Sequence, residues 1–177
     1  HLLGGIAVQF VPSLGTSGGN RALANGVIDA AISGRPLTAA EIANGLTTVA
    51  EFHTPFGLVT SHPNPNGFKS GDIARIFQSD NPTWADGTPM RIILRPTTES
   101  DTWLLGHLFP GMTGAMAAIR KRADLSVAAT DQDNADMAEQ TPGSLTGATF
   151  TQMKMEKRKM RFIAIDGAAP SLESYKS

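Results

Sequence analysis

Apolar and polar positions alternate in blocks that point to strands and helices in turn. Ile6 to Val11 is a short apolar run rich in β-formers, and it predicts a strand. Pro12 to Gly19 reads as a loop. A short helix from about Gly18 to Ala24 follows, stopped by Asn25-Gly26, a pair suited to a left-handed cap. Val27 to Ser33 predicts a second strand. Thr38 and Glu41 have capping-box spacing and set a helix start at Thr38. Phe56 to Thr60 predicts a strand running into His62-Pro63-Asn64-Pro65-Asn66-Gly67, the densest turn cluster in the chain. Ser70 is expected to cap a helix carrying Ile73, Ile76 and Phe77 at helical spacing.

Arg91 to Leu94 predicts a strand that delivers Arg95. A helix from about Ser100–Thr102 is expected to bury Trp103, Leu104 and Leu108. Met112, Met116 and Ile119 mark another helix, and this Met stripe reads as core packing. Leu125 to Ala129 predicts a strand, and a helix from Asp131 or Asp133 runs to about Gln140. Thr141-Pro142-Gly143 is a turn, Ser144 to Thr151 and Phe162 to Ile165 are strands, and Pro170 to Tyr175 reads as a final helical turn. Strands alternating with helices argue for an α/β fold with mainly parallel strands.

Composition narrows the function. The 177 residues include 41% hydrophobic and 18% charged positions, which suits a packed core rather than disorder. Fifteen basic residues face sixteen acidic ones, so a nucleic-acid partner is not expected. The basic run Lys154 to Arg161 reads as a solvated face. With no cysteine, disulfides, thiolate metal sites and cysteine nucleophiles are excluded. His1, His53, His62 and His107 lack metal-ligand spacing, and no metal or other cofactor is expected. No apolar run approaches the roughly 20 residues needed to span a bilayer.

Two loops could carry chemistry. In Gly15-Thr16-Ser17-Gly18-Gly19 a glycine-rich loop opens a helix. Backbone N–H groups can then approach a ligand beside the positive end of the helix, an arrangement suited to anions. A tight structural turn explains this segment alone about equally well. The same residues fit Gly-x-Ser-x-Gly, with Ser17 as a hydrolase nucleophile and Asp72 or Asp86 and His107 as partners. Too little chain precedes Ser17 for that fold, so this is a distant third reading. In Arg95-Pro96-Thr97-Thr98-Glu99-Ser100-Asp101-Thr102 a strand delivers an arginine and hydroxyls open a helix. A guanidinium fork suits tetrahedral oxyanions, although an arginine paired with Glu99 or Asp101 beside an ordinary N-cap explains the segment too. No Gly-Lys-Ser/Thr follows the glycines, so there is no P-loop.

Taken in order, these segments resemble the phosphate-binding periplasmic solute-binding proteins of ABC transporters. Gly15 to Leu23, followed by Gly26 to Thr38, is similar to that family's Gly-Ser-Gly loop, helix and Asp-Ile-Gly-Ala-Ser-x-Arg-Pro-Met strand. Phe56 to Pro65, Asp72 to Phe77 with Trp84, Arg95 to Thr102, Thr141 to Gly147 and Phe162 to Pro170 resemble later motifs in the same order. The resemblance implies a two-lobed type II periplasmic-binding fold with a ligand cleft between the lobes. Residues 1–58 plus 160–177 would form lobe 1, and 59–159 lobe 2. It implies a ligand set of Thr16, Ser17, Gly18, Ser33, Gly34, Arg95, Ser100, Asp101 and Thr102, with inorganic phosphate or a related oxyanion as ligand and the membrane subunits of an ABC importer as partners.

A periplasmic or extracellular location would follow, and the start at His1 rather than Met suits a processed or trimmed product. No catalysis is implied. A ligand-sensing regulatory domain of the same fold is the alternative. The sequence departs from the family in three places. The first strand and helix are not found, so self-association through lobe 1, or a longer parent chain, is expected. Gly34 stands where a hydroxyl or carboxylate is usual. Asp101 stands where glycine is usual, in a loop one residue longer.

Overall fold

The protein is described from a computed structural model, over residues 7–171 and 173. Its sheet is built between residues 56 and 162. Strands β1 (Phe56–Thr60), β2 (Arg91–Leu94), β3 (Ser126–Val127), β4 (Ser144–Thr149) and β5 (Arg161–Phe162) lie in the order β3-β2-β4-β1-β5. β2 runs parallel to β3 and β4, whereas β1 runs antiparallel to β4 and β5. The sheet is therefore mixed, not mainly parallel as the alternation of elements suggested. The chain returns through β4 and β5 against β1, and an antiparallel pair needs no helical crossover in one direction.

Side-chain alternation divides the core between the two faces. Leu58, Ile92, Leu94 and Leu145 point to one face, against helices α3 (Ile73–Gln78), α4 (Ser100–Leu108) and α5 (Met112–Ile119). Phe77, Leu105, Met112, Met116 and Ile119 fill this side, so the expected Met stripe is core. Val59, Ile93 and Ala148 point to the other face, against Ala135 and Ala138 of α6 (Asp131–Gln140), Met153 of α7 (Phe150–Met155) and Met160. Asn134 is buried there too. Its amide donates to Gly147 O at 3.0 Å, and the Thr146 hydroxyl lies 2.8 Å from its Oδ1.

Local signals of capping hold. Thr38 and Glu41 form a capping box at α2 (Ala39–Ala43). Thr130 and Asp133 form another at α6, so Thr130 is the N-cap and Asp131 the first helical residue. Thr149 caps α7 and ends β4, which stops two residues short of the expected Thr151. The expected Leu125–Ala129 and Phe162–Ile165 strands shrink to 126–127 and 161–162. Ser70 opens a short 3-10 turn before α3, with no side-chain cap. In α4 the buried residue is Leu105, while Trp103 and Leu108 are exposed. The helix start lies near Ser100 as expected, but the face turned to the core differs.

The first third of the chain differs most. Helix α1 spans Gly15–Ala24, starting three residues earlier than expected, and Gly26 at φ 67° ends it. Residues 7–11 and 27–33 form no strand. Phe10 is 87% exposed and Val49 94%, and Val8, Val27, Ile32 and Phe52 are also exposed. An apolar run becomes a strand only when a neighbour completes its hydrogen-bond ladder, and none does so here. Ile6, where the first strand was expected to begin, and residues 172, 174 and 175 of the expected final helical turn lie outside the described residues.

Candidate functional site

β2 carries Arg95 straight off its end into the interior, where the side chain is only 2% exposed. Pro96 then forbids a continuing ladder, and Glu99 takes an extended conformation as N-cap of α4. The Arg95 guanidinium binds Asp131 through Nη1, and Ala129 O through Nη2 at 3.2 Å. Nη2 also lies 3.6 Å from Glu99 Oε2. Its Nε is buried and has no hydrogen-bond partner among the described residues.

Glu99 reaches in the other direction as well. Thr16 N donates to Glu99 Oε2 at 2.8 Å. Gly15, at φ 67°, leaves room for this carboxylate, because a Cβ there would stand 2.8 Å from Oε2. The starts of three helices thus converge on one ion cluster, in which Arg95 and Glu99 are buried and Asp131 is half-exposed. α1 contributes the Thr16 amide, α4 contributes Glu99 and α6 contributes Asp131. Each helix start supplies partial positive charge and unpaired amides, which favours anions nearby.

The candidate hydroxyls are placed unequally. Gly34 N donates to Thr16 Oγ1 at 3.1 Å, and Ser17 Oγ donates to Thr98 O at 3.0 Å. A Cβ on Gly34 would stand 2.5 Å from Ser100 Oγ and 3.5 Å from Thr16 Oγ1. Thr16, Ser17, Gly34 and Ser100 therefore meet between the two loops, and only glycine fits at 34. Thr102 Oγ1 donates to Pro96 O at 2.9 Å, with Arg95 O at 3.2 Å, and accepts from Arg120 Nη2 at 3.1 Å. Ser33 Oγ donates to Arg35 O at 2.7 Å. These two hydroxyls brace the backbone. Gly18 lies inside α1, and a Cβ there would meet Leu14.

Asp101, the second residue of α4, shares the cluster. Desolvation and the neighbouring Asp131 and Glu99 carboxylates push its pKa up to about 7, against the opposing pull of Arg95. Sequence reasoning did not single out Arg35, Arg120 or Asp131. Arg35 binds Glu41 through both terminal nitrogens at 2.9 Å, and Asn20 Nδ2 donates to Glu41 Oε1 at 3.0 Å, which ties residues 35–41 to α1. The Arg35 guanidinium holds the Glu41 carboxyl well below the usual carboxylate range. Arg120 donates to Arg95 O at 2.5 Å and so fixes the turn after β2. Asp131 carried a signal as the acidic start of a helix and Arg35 as the arginine of the Arg-Pro motif, whereas Arg120 carried none.

The groups proposed for a hydrolase are bonded elsewhere. His107 Nδ1 lies 2.7 Å from Trp103 O, and Asp86 Oδ2 lies 3.0 Å from Nε2 of His62, which stacks on Trp84. A surface cavity of about 460 Å³ is lined by Arg75, Ser79, Asn81 and Met90 among others, and shares no residue with the two loops. Among the described residues no cluster of three His, Asp or Glu side chains is placed to hold a metal ion. No helix among them is long and apolar enough to cross a membrane.

A family model for the PBP superfamily domain matches residues 5–170. The chain belongs to this family. No curated protein matches its sequence. Among solved structures it is similar to a candidate phosphate ABC transporter substrate-binding protein with bound phosphate from Clostridium perfringens. The identity is 14%, 92% of this chain and 66% of that one are covered, and the TM-score is 0.67. It is also similar to PstS from Borrelia burgdorferi, at 18% identity, with 89% and 65% covered and a TM-score of 0.57. A phosphate binding protein from Stenotrophomonas maltophilia aligns at 9% identity, with 89% and 57% covered and a TM-score of 0.55. The family and the α/β fold of the two-lobed periplasmic binding proteins agree with the resemblance drawn from the motifs. The chain spans at most 66% of the length of these structures.

Proposed function

We propose that this chain is an extracytoplasmic solute-binding protein that captures a small oxyanion, phosphate first among them, for an ABC importer. The observation that carries this reading is the convergence of three helix starts on a buried arginine. Such a constellation offers amides, hydroxyls and one fork-shaped cation in a small volume, the donor set a tetrahedral oxyanion requires. Support comes from the family and from the phosphate named in similar structures. The role is capture and release, with no bond made or broken.

In this reading Arg95 is the charged contact. Thr16, Ser17, Gly18 and Gly34 from one side, with Ser100, Asp101 and Thr102 from the other, form the wall, and Ser33 braces the turn before Gly34. The expected lobes, 1–58 with 160–177 and 59–159, would split β1 and part β5 from the sheet both strands share with β4. In this reading the segment before β1 is one lobe and the sheet with its helices the other, closing on the anion because the closed state makes contacts the open state lacks. Asp101 discriminates in its ionised form, which prevails above about pH 7. Phosphate near neutral pH keeps a proton to donate and sulfate has none, so an acceptor in the wall selects phosphate. Calorimetric titration of phosphate against sulfate tests this, repeated on Asp101→Asn. Phosphate preference should fall in the variant. Strong preference that survives the substitution excludes Asp101 as the discriminating acceptor.

A further inference from the structure

The donors that make this an anion site are already answered by carboxylates. Glu99 accepts the Thr16 amide at the start of α1 and lies 3.6 Å from the Arg95 guanidinium. Asp131 binds the same guanidinium from the far side. Glu99 is no surface side chain that drifted inward. Its side chain is 8% exposed, and Gly15 has no Cβ where its oxygen lies. One cation thus faces two carboxylates, and the buried Arg95 Nε has no partner among the described residues.

We propose that Glu99 is a built-in occupant of the oxyanion position, so that an external anion enters only by displacing its carboxylate from Thr16 N and Arg95. This rests on the oxyanion-binding reading above. A carboxylate and a phosphate oxygen use the same donors with the same geometry, so Glu99 competes as an intramolecular ligand at high effective concentration. Its charge also repels a second anion at close range in a partly desolvated site. Displacement returns the Thr16 amide and one edge of the guanidinium to the incoming ligand. Glu99 follows Thr97-Thr98 in a loop before α4, so its side chain can swing without unwinding a strand. The carboxylate thereby sets a threshold concentration for capture.

The test is calorimetric titration of inorganic phosphate into the wild-type protein and Glu99→Gln, a near-isosteric change that keeps a hydrogen-bond acceptor and removes the charge. The proposal expects phosphate to bind the variant at least tenfold more tightly. A wild type that binds phosphate, with a variant that binds equally or more weakly, overturns the role of Glu99 and leaves the anion site standing. If neither protein binds phosphate or sulfate, the oxyanion reading itself fails, and this inference with it. A second variant guards against misfolding. In Glu99→Ala, acetate should refill the vacated position and raise the melting temperature, with no such gain in the wild type. Equal response of the two proteins to acetate overturns the proposal.

Discussion

Replacing Arg95 by Met isolates what the buried cation does for the fold. The side chain is 2% exposed, Glu99 is 8% exposed and Asp131 is 50% exposed. Removing one partner of a buried pair costs about 3–5 kcal/mol, because the other charge is left uncompensated in poor solvent. Asp131 can turn back to water, so its share is small. Glu99 is 8% exposed, and it reaches water only by giving up its bond to the Thr16 amide. The expected loss is therefore about 3 kcal/mol, at the low end of that range. Urea unfolding followed by circular dichroism should show it. With a slope of about 2 kcal/mol/M the midpoint falls by about 1.5 M. The double variant Arg95→Met, Glu99→Gln should recover at least about 1 kcal/mol, since the stranded charge is gone. A single variant within about 0.5 kcal/mol of the wild type would refute the buried-pair argument, as that is the cost of an exposed pair.

Four further outcomes are expected. The folded pKa of Asp101 is raised to about 7, so the folded state binds the extra proton between roughly pH 4 and pH 7, and this residue makes stability fall as pH rises through that window. Asp101→Asn should abolish that fall in thermal melts. Glu41 acts with the opposite sign. Its folded pKa is depressed by Arg35, so its contribution is present above about pH 4 and lost as pH falls below it, and Glu41→Gln should flatten the acid limb. Asn134→Ala removes the amide that bonds Gly147 O and the acceptor beside Thr146, and should cost about 1–3 kcal/mol in urea unfolding. Exposed Phe10, Val27, Ile32, Val49 and Phe52 should drive concentration-dependent association in light scattering, reduced by Phe10→Ser with Phe52→Ser. A strict monomer at all concentrations would contradict this.

How much the sequence disclosed follows the range of the forces involved. The capping box at Thr38 was readable because a cap is decided within four residues. The strand ending at Leu94 and the Met112–Met116–Ile119 face were readable because periodicity reports burial directly. Ile6–Val11 and Val27–Ser33 were read as strands on composition alone, but a strand depends on a neighbour that composition does not reveal. The antiparallel placement of β1 was hidden for the same reason, since it depends on β4, about 90 residues on. At the site, Arg95 and the hydroxyl-rich helix start could be found by chemistry and order. Asp131 could not be paired with Arg95 before folding brought α6 to the end of β2. Glu99 was weighed as a partner of Arg95 in the sequence. Its second bond, to Thr16 across 83 positions, belongs to the tertiary structure.

The central claim is that an oxyanion binds at Arg95. Calorimetric titration of inorganic phosphate into the wild-type protein and Arg95→Met tests it most directly. One site per chain is expected in the wild type, with loss of measurable binding in the variant. No binding in the wild type, or equal affinity in both proteins, would contradict it.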